Sequence, residues 1–271
     1  MSWTIVDIAE RRRVEPFLTH RENRCVAFTS RLLDSNCRVY AYENAGEILG
    51  AVLNEPNGFF YPVFVDGLHH NGAIMPFPRL RSTRLYSIMG YDPDVRLFAG
   101  LLRYTATDTI RYQLMSRGLD PAPPVVDDPE LAIRPARMTD IETLVPIQGR
   151  YELEEVLLPG HTLNRESVRR HLHGSIRDQI VIIAEKGGIP VAKAGTNARG
   201  RTYDQIGGVY TEPSLRGRGV ARSLMARVIE HCRLDGKMTA LFVKTENRPA
   251  IALYRRLGYR VDGEFSILYF R

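Results

Sequence analysis

Apolar and polar positions in the second half of the chain follow patterns that predict a regular succession of strands and helices. The stretch QIVIIAEKGGIPVAKAGTN (179–197) has two apolar runs around a Lys-Gly-Gly turn, which predicts a β-hairpin. From Val220 onwards, apolar residues recur at i+4, i+5, i+8, i+9 and i+12, which places them on one face of a helix. A second helix is predicted over LNRESVRRHLHGSI (163–176), with Asn164 as its cap.

The segments around these elements complete the order. LAIRPARMTDIETLVPI predicts a strand followed by a helix, and YDQIGGVYTEP predicts a strand that ends at Pro213. A buried strand over 238–247, a helix with Pro249 in its first turn and a terminal strand GEFSILYF follow. The predicted order is β-α-α-β-β-β-α-β-α-β, that of an α/β or α+β domain with a central sheet.

The first half of the chain predicts a smaller α/β domain of similar outline. Residues 14–33 look helical, the segment 38–64 predicts strands, and a β-α-β unit follows in LYSIMG, DVRLFAGLLRY and TIRYQLM. The stretch LDPAPPVVDDPE (119–130) is rich in proline and aspartate, which favours an extended linker. We therefore expect two domains, 1–128 and 129–271.

The composition is that of a soluble globular protein: of its 271 residues, 44% are hydrophobic and 25% are charged. No apolar run approaches the roughly 18 residues that a membrane span needs, and the first residues lack the pattern of a secretory signal. The three cysteines have no CxxC spacing, which argues against a disulfide scaffold and a zinc ribbon. We expect a cytoplasmic protein that does not contact a membrane.

Positive charge is concentrated in the second half of the chain. The net charge is +6, yet residues 1–128 contain 14 Lys and Arg against 15 Asp and Glu. The excess thus belongs to residues 129–271, which indicates either an anionic ligand or a solvated basic face.

The segment EPSLRGRGVARSL (212–224) places glycines and arginines between a strand and a helix. Helix N-terminal amides are unpaired and carry a partial positive charge, and glycines let such amides converge on an anion. The segment therefore predicts a phosphate site, with an arginine-rich surface loop as the alternative. In the first half GYDPDV (90–95) takes the comparable place, but its two aspartates would repel a phosphate.

The stretch GGVYTEPSLRGRGVARSLM, followed by ALFVKTENRPAIALYRRLGYR, resembles the GCN5-related N-acetyltransferase (GNAT) superfamily. The pyrophosphate-loop pattern of the family, Gln/Arg-x-x-Gly-x-Gly/Ala, is matched by Arg216, Gly219 and Ala221. The second family signature is matched by Asn247, Ala250, Tyr254 and Gly258-Tyr259. The resemblance covers about residues 131–271. A narrower resemblance is to bacterial two-domain members with a degenerate, acetyltransferase-like N-terminal module.

This resemblance implies a mixed, mostly antiparallel sheet flanked by helices, and acetyl-CoA as acyl donor. The loop would bind the pyrophosphate of CoA, and backbone groups of the preceding strand would bind the pantetheine arm and polarise the thioester carbonyl. The expected donor-binding residues are Val209, Tyr210, Thr211, Arg216, Gly217, Arg218, Gly219, Val220, Ala221, Arg222 and Asn247.

Tyr254 is the candidate general acid, because a phenol with a pKa of about 10 stays protonated at neutral pH and can donate to a departing thiolate. The alternative is a core aromatic, since Ile251, Tyr254 and Leu257 share one helix face. Asn247 is expected either to contact the cofactor arm or to cap the helix that follows.

The candidates for a general base are glutamates in the segment RYELEEVL. Glu152, Glu154 and Glu155 lie there, on or after the first helix of the domain. A buried carboxylate could accept the proton of the amine, directly or through water. Glu155 is favoured slightly over Glu154, and a solvated acidic face is the alternative. Lys193 is a charge in an apolar strand, at an edge or in contact with a ligand.

A metal site is not expected. His171 and His173 stand two residues apart on a predicted helix and so point in different directions, with no ligand at i+4 from either. Cys232 lies on an apolar helix face and is expected in the core.

The leading hypothesis is an acetyl-CoA-dependent N-acetyltransferase that transfers the acetyl group directly in a ternary complex. The alternatives are a catalytically weak acyl-CoA sensor or scaffold and, last, a nucleic-acid-binding protein, for which no motif is present. The amine acceptor is unknown. The first half is expected to close over the acceptor site or to mediate a homodimer.

Overall fold

The computed structural model of the protein describes residues 1–68, 77, 84–125, 128–158 and 160–270. Its first half contains, in chain order, β1 (Ser2–Ile5), α1 (Glu15–Thr19), α2 (Val26–Arg31), β2 (Arg38–Asn44), β3 (Glu47–Asn54), β4 (Phe59–Phe64), β5 (Ser87–Tyr91), α3 (Asp92–Leu102) and β6 (Asp108–Arg117). The second half contains β7 (Ala132–Pro135), α4 (Ile141–Tyr151), α5 (Arg165–Asp178), β8 (Val181–Lys186), β9 (Ile189–Arg199), β10 (Tyr203–Thr211), α6 (Val220–Leu234), β11 (Met238–Lys244), α7 (Arg248–Arg256) and β12 (Arg260–Tyr269).

Local sequence signals account for the boundaries in the second half, whose predicted element order is confirmed. The side chain of Asn164 accepts a hydrogen bond from the Ser167 amide at 3.0 Å and so caps α5. Gly187 and Gly188 turn the β8–β9 hairpin with φ of +57° and +79°, values that suit glycine.

The helix predicted over 14–33 is broken in the structure. A 3-10 turn (Ile8–Val14) leads into α1, and a second one (Glu22–Arg24) separates α1 from α2. The interruption is bounded by Arg21 and Cys25, whose φ values of −126° and −139° are not helical. The apolar spacing alone did not reveal this break.

Within the described residues, the twelve strands form one continuous sheet in the order β1-β2-β3-β4-β5-β12-β6-β11-β10-β9-β8-β7. Two neighbouring pairs are parallel, β4–β5 and β10–β11, and the other pairs are antiparallel. The mixed, mostly antiparallel sheet expected for the second half is therefore present. It extends without interruption into the first half.

The two halves exchange their last strands. β12, from the second half, lies between β5 and β6 of the first half, where Phe265 pairs with both Tyr91 and Tyr112. Reciprocally, β6 lies between β11 and β12, and its residue Met115 pairs with Leu241 and Val261. The two strands at the centre of the twelve-stranded sheet are thus exchanged: β12 pairs with β5 of the first half, and β6 pairs with β11 of the second half.

The sheet order also makes the two halves equivalent, since β4 and β5 of the first half correspond to β10 and β11 of the second. On this alignment the segment 90–95 joins β5 to α3 and corresponds to the junction between β11 and α7. The comparison of GYDPDV with the 212–224 segment was therefore wrong. The true counterpart follows β4, in a segment that lies partly outside the described residues.

Contacts between side chains further join the halves. The carboxylate of Glu22, which is 1% exposed, accepts hydrogen bonds from the backbone amides of Arg201, Thr202 and Tyr203 at 2.7, 2.5 and 3.1 Å. Val26 of α2 packs with Ala198 and Ala240 of the second half. The interface is thus part of the core.

The second half has a core on each face of its sheet. One lies beneath α6 and α7, and it contains Leu224, Tyr254 and Cys232. The other lies beneath α4 and α5 and includes Ile183 and Tyr210. No helix in the described ranges is long and apolar enough to cross a membrane.

Candidate functional site

The parallel strands β10 and β11 pair at one end and separate towards the other. Their ladder ends where Gln205 lies opposite Ala240, whereas β10 continues to Thr211 and β11 to Lys244. On its other side β10 remains paired with β9 through Tyr210 and Thr211. The residues expected to bind a donor arm, 209–211, therefore border a V-shaped gap.

Residues 216–221 form the turn from this gap into α6. Gly217 and Gly219 have left-handed backbone conformations, with φ of +79° and +85°, and a Cβ at either position would meet no atom within 4 Å. The backbone conformation, and not lack of space, therefore requires glycine here. Gly219 directly precedes α6, and no described side chain caps that helix end. Its first amides can thus bind an anion.

Both arginines of the turn contact carboxylates. Arg216 donates to the Thr211 carbonyl at 2.9 Å and to Glu154 at 2.8 Å, and its guanidinium lies 5.3 Å from the centre of the Tyr210 ring. Arg218 lies 3.4 Å from Asp128 and 3.5 Å from Glu130. These exposed pairs contribute little stability and leave the guanidinium groups open to a stronger anion.

Two buried polar atoms in this region have no hydrogen-bond partner among the described residues, Thr211 Oγ1 and Arg222 Nε. A buried polar group without a partner is costly, so both atoms suit a ligand that brings one. The gap, the turn and these atoms therefore fit a ligand with a polar arm and an anionic group.

Tyr254 lies on α7 and is 7% exposed. Burial, followed by the nearby Tyr151 and Glu155, raises the pKa of its phenol well above the ordinary value, so the hydroxyl is protonated at neutral pH. No described residue forms a hydrogen bond with that hydroxyl, which is therefore available to another partner. The ring also packs in the core with Leu257, as the alternative of a core aromatic predicts.

Asn247 caps α7: its Oδ1 accepts from the Ala250 amide at 3.2 Å, and its Nδ2 donates to Glu155 at 3.2 Å. The sequence predicts that Asn247 either contacts the cofactor arm or caps the helix, and the helix cap is present in the structure. The cap also brings Glu155 to the beginning of α7.

The three glutamates lie in a π-helical turn (Glu152–Val156) that continues α4. Glu152 accepts from Gln148 at 2.9 Å, Glu154 pairs with Arg216, and Glu155 lies 3.3 Å from the Lys244 ammonium. The two candidate bases therefore diverge, Glu154 towards the anion turn and Glu155 towards α7. Neither is deeply buried.

A cavity of about 890 Å³ opens beside the π-helical turn. It is lined by residues 108–111 of β6, by 244–246 at the end of β11, and by Leu153, Glu154, Leu157, Leu158, Gly160 and His161. Since β6 belongs to the first half of the chain, both halves form this cavity.

Lys193 and Tyr151 lie beneath the gap. The sequence predicts Lys193 either at a sheet edge or in contact with a ligand, and it assigns no role to Tyr151. Lys193 is 6% exposed, and its ammonium donates to the Gly208 carbonyl at 2.9 Å. It lies 4.5 Å from the centre of the Tyr151 ring. The interpretation of Lys193 as an edge residue was wrong, because β9 is paired on both sides, with β8 and β10.

Burial lowers the pKa of His171 on α5. Among the described residues no group of three or more His, Cys, Asp or Glu side chains is arranged to hold a metal. The three cysteines are buried thiols, and burial raises the pKa of Cys232 to about 12.

Residues 150–259 match the family described as acetyltransferase (GNAT). The chain is 32% identical over 108 residues to the N-alpha-acetyltransferase RimI of Mycobacterium tuberculosis. The matched region covers 39% of this chain and 63% of that protein. Over 103 residues it is 32% identical to the acetyltransferase Atu2258 of Agrobacterium fabrum, covering 38% of this chain and 69% of the relative.

The chain spans 63%, 29% and 17% of the lengths of the first three curated relatives that it matches. Along nearly its whole length it also superposes on an X-ray structure of a Drosophila protein, with a TM-score of 0.72 and 14% identity. That match covers 99% of this chain and 98% of the other, and at this identity it concerns the fold.

Proposed function

This chain belongs to the acetyltransferase (GNAT) family, and on that premise we propose that it transfers an acetyl group from acetyl-CoA directly to an amine. One observation carries the proposal: the gap between β10 and β11 leads directly to the glycine turn at the start of α6. A donor with an amide-bearing arm and a pyrophosphate is complementary to both features. Such a strand-like arm would pair with β10, and its phosphates would accept from the amides of the turn.

In this proposal Arg216, Arg218 and Arg222 bind the phosphates together with the backbone of Gly217, Gly219, Val220 and Ala221. The arm lies along Val209, Tyr210 and Thr211, and a backbone amide of this strand stabilises the negative charge that develops on the thioester oxygen. Asn247 acts indirectly, because it caps α7 and so fixes the position of Tyr254.

The proposed reaction forms a bond from the amine nitrogen to the acetyl carbon and breaks the carbon–sulfur bond. An acceptor that enters as an ammonium ion first releases one proton to solvent and so becomes a nucleophile. Its nitrogen loses one further proton as the new bond forms, and the departing thiolate gains one. Tyr254 donates its phenolic proton to sulfur and regains a proton from solvent. Glu155, or Glu154 once it is released from Arg216, accepts the proton of the amine, directly or through water.

We assign the amine acceptor to the cavity beside the π-helical turn. Its lining contains three carboxylates, Asp108, Glu154 and Glu246, against the two cations Arg111 and Lys244. The net negative charge would attract a positively charged amine before it loses its proton. The strand β6 forms one wall, so residues 1–128 would contribute to acceptor binding even if they are a degenerate, GNAT-like module. We further propose that the chain has two domains, the GNAT-like module in residues 1–128 and the acetyltransferase domain in residues 129–271.

A second candidate is an acyl-CoA sensor or scaffold with little turnover. One observation favours it: both candidate bases are engaged, Glu154 by Arg216 and Glu155 by Lys244 and Asn247. A sensor would retain donor binding without needing a base.

The test is to incubate the full chain with acetyl-CoA and a panel of amine metabolites and peptides, and to follow free thiol and acetylated product by mass spectrometry. An amine-dependent release of CoA with formation of an acetyl-amine supports the enzyme. A rise in melting temperature with acetyl-CoA, without any product, supports the sensor. The absence of both effects would refute the two candidates together.

A further inference from the structure

Lys193 is a buried cation beneath the strand that borders the donor gap. Its side chain belongs to β9, lies on the face covered by α4 and α5, and is 6% exposed. Among the described residues its ammonium has one hydrogen-bond partner, the carbonyl of Gly208 at 2.9 Å. Burial lowers the pKa of Lys193 to about 7, although the carboxylate of Glu152 opposes this shift. A charge in such a place requires a function that offsets its desolvation.

The partner of Lys193 lies in a β-bulge. Gly207 is opposite Gly195 and Tyr210 is opposite Lys193, so Gly208 and Val209 together face a single residue of β9. A bulge removes backbone groups from the regular ladder, which leaves the Gly208 carbonyl to be satisfied by a side chain. Lys193 provides that bond.

Gly208 is the residue that makes room for the ammonium. Its φ is +62°, and a Cβ at this position would lie 2.7 Å from Lys193 Nζ. The backbone conformation therefore requires glycine at this position, and a Cβ would in addition displace the ammonium from its contact.

Tyr151 supports the contact from α4. Its ring centre lies 4.5 Å from the ammonium, which is the geometry of a cation–π contact. Burial raises the pKa of the Tyr151 hydroxyl to about 12, and an interaction of that hydroxyl with the Gly208 backbone opposes the shift. Side chains from β9 and α4 thus meet at one residue of the bulge.

We propose that Lys193 is a positioning residue that fixes the Gly208 bulge and thereby directs the backbone of Val209–Thr211 towards the acetyl end of the donor. Lys193 itself touches neither substrate. This inference rests on the proposed function, because it assigns the acetyl group to this stretch of β10. The pyrophosphate is bound at another place, the turn 216–221, so the two parts of the donor should respond differently to loss of Lys193.

The test compares K193M with the full-length wild-type chain by calorimetric titration with acetyl-CoA and, separately, with CoA. We expect the affinity for acetyl-CoA to fall about fivefold more than the affinity for CoA, as for one lost hydrogen bond, because both ligands carry the arm but only acetyl-CoA has the thioester carbonyl. Where product is formed, kcat should fall as well. Y151F keeps the ring but removes the hydroxyl, and it should shift the ratio of the two affinities in the same direction. If K193M does not fold, Y151F alone tests the proposal.

K237M is the matched control, because Lys237 also donates to a backbone carbonyl, that of Gly200 at 2.8 Å, but next to the other end of β10. It should leave the ratio of acetyl-CoA to CoA affinity unchanged even if it lowers stability. An unchanged ratio in both K193M and Y151F would overturn the proposal. If the wild-type chain binds acetyl-CoA but makes no product, the proposed acetyl transfer is refuted. The ratio of acetyl-CoA to CoA affinity then still tests the role of Lys193.

Discussion

Arg216 and Glu154 form an ion pair of 2.8 Å that joins the turn before α6 to the rim of the cavity. Both side chains are nearly half exposed, at 45% and 44%. An exposed pair of this kind contributes at most about 1 kcal/mol, so the phosphates of a donor can displace the carboxylate. Donor binding would then release Glu154 beside the acceptor, which couples the two sites.

E154Q should therefore bind CoA more tightly than the wild type, because no carboxylate competes for Arg216. We expect a gain of up to about fivefold at low salt, and a smaller gain at high ionic strength, where exposed charges are screened. Calorimetric titration with CoA measures it. E166Q is the control, since it removes an exposed partner of Arg169 far from the turn and should change nothing. Weaker CoA binding by E154Q would contradict the competition.

Y254F should lower kcat about a hundredfold and leave the KM for acetyl-CoA nearly unchanged, because it removes a proton donor that acts only as the thiolate departs. Its melting temperature should hold, since no described residue bonds to that hydroxyl. Steady-state kinetics and thermal unfolding measure the two effects. Y259F is the matched control: the Tyr259 hydroxyl lies 2.8 Å from that of Thr239, so its loss should reduce stability and spare kcat. An unchanged kcat in Y254F would refute the proposal that Tyr254 is the general acid.

Residues 129–271 alone should not fold, because they lack β6, the strand between β11 and β12. Co-expressed with residues 1–128, they should form a soluble complex that retains acetyl-CoA binding. Size-exclusion chromatography and circular dichroism distinguish these states. A chain cleaved at a protease site engineered into the linker should stay associated, partly through the three backbone amides bonded to Glu22. A folded and active 129–271 fragment would refute the requirement for exchanged strands.

The sequence predicted those features that depend on neighbours along the chain. The hairpin at Gly187-Gly188, the Asn164 cap and the glycine turn before α6 each depend on a few adjacent residues, and all three are present. The family signatures extended this local information to the position of Tyr254.

The remaining features depend on partners distant in sequence. Nothing within β6 indicates that it pairs with β11 and β12, because a strand pattern specifies a buried face and not its neighbours. For the same reason the 108–111 wall of the cavity could not be foreseen. Lys193 stood out as a charge in an apolar strand, but its partner Gly208 becomes evident only with the bulge.

Lys193 should make the stability of the protein depend on pH in the alkaline range. Its pKa is about 7 in the folded state and about 10.4 in an unfolded chain, so between these values the unfolded state binds more protons. Stability should therefore rise with pH across this window, whereas below pH 7 the cost of burying the charge is present in full. Of the neighbouring groups, burial raises the pKa of Tyr151 to about 12, above this window, and burial lowers the pKa of His171, so it is already neutral. Urea unfolding of wild type and K193M at about pH 7 and about pH 9 measures the effect. The free energy of unfolding of the wild type should rise relative to that of K193M, and a difference that is flat or falls with pH would show that Lys193 is not a desolvated cation.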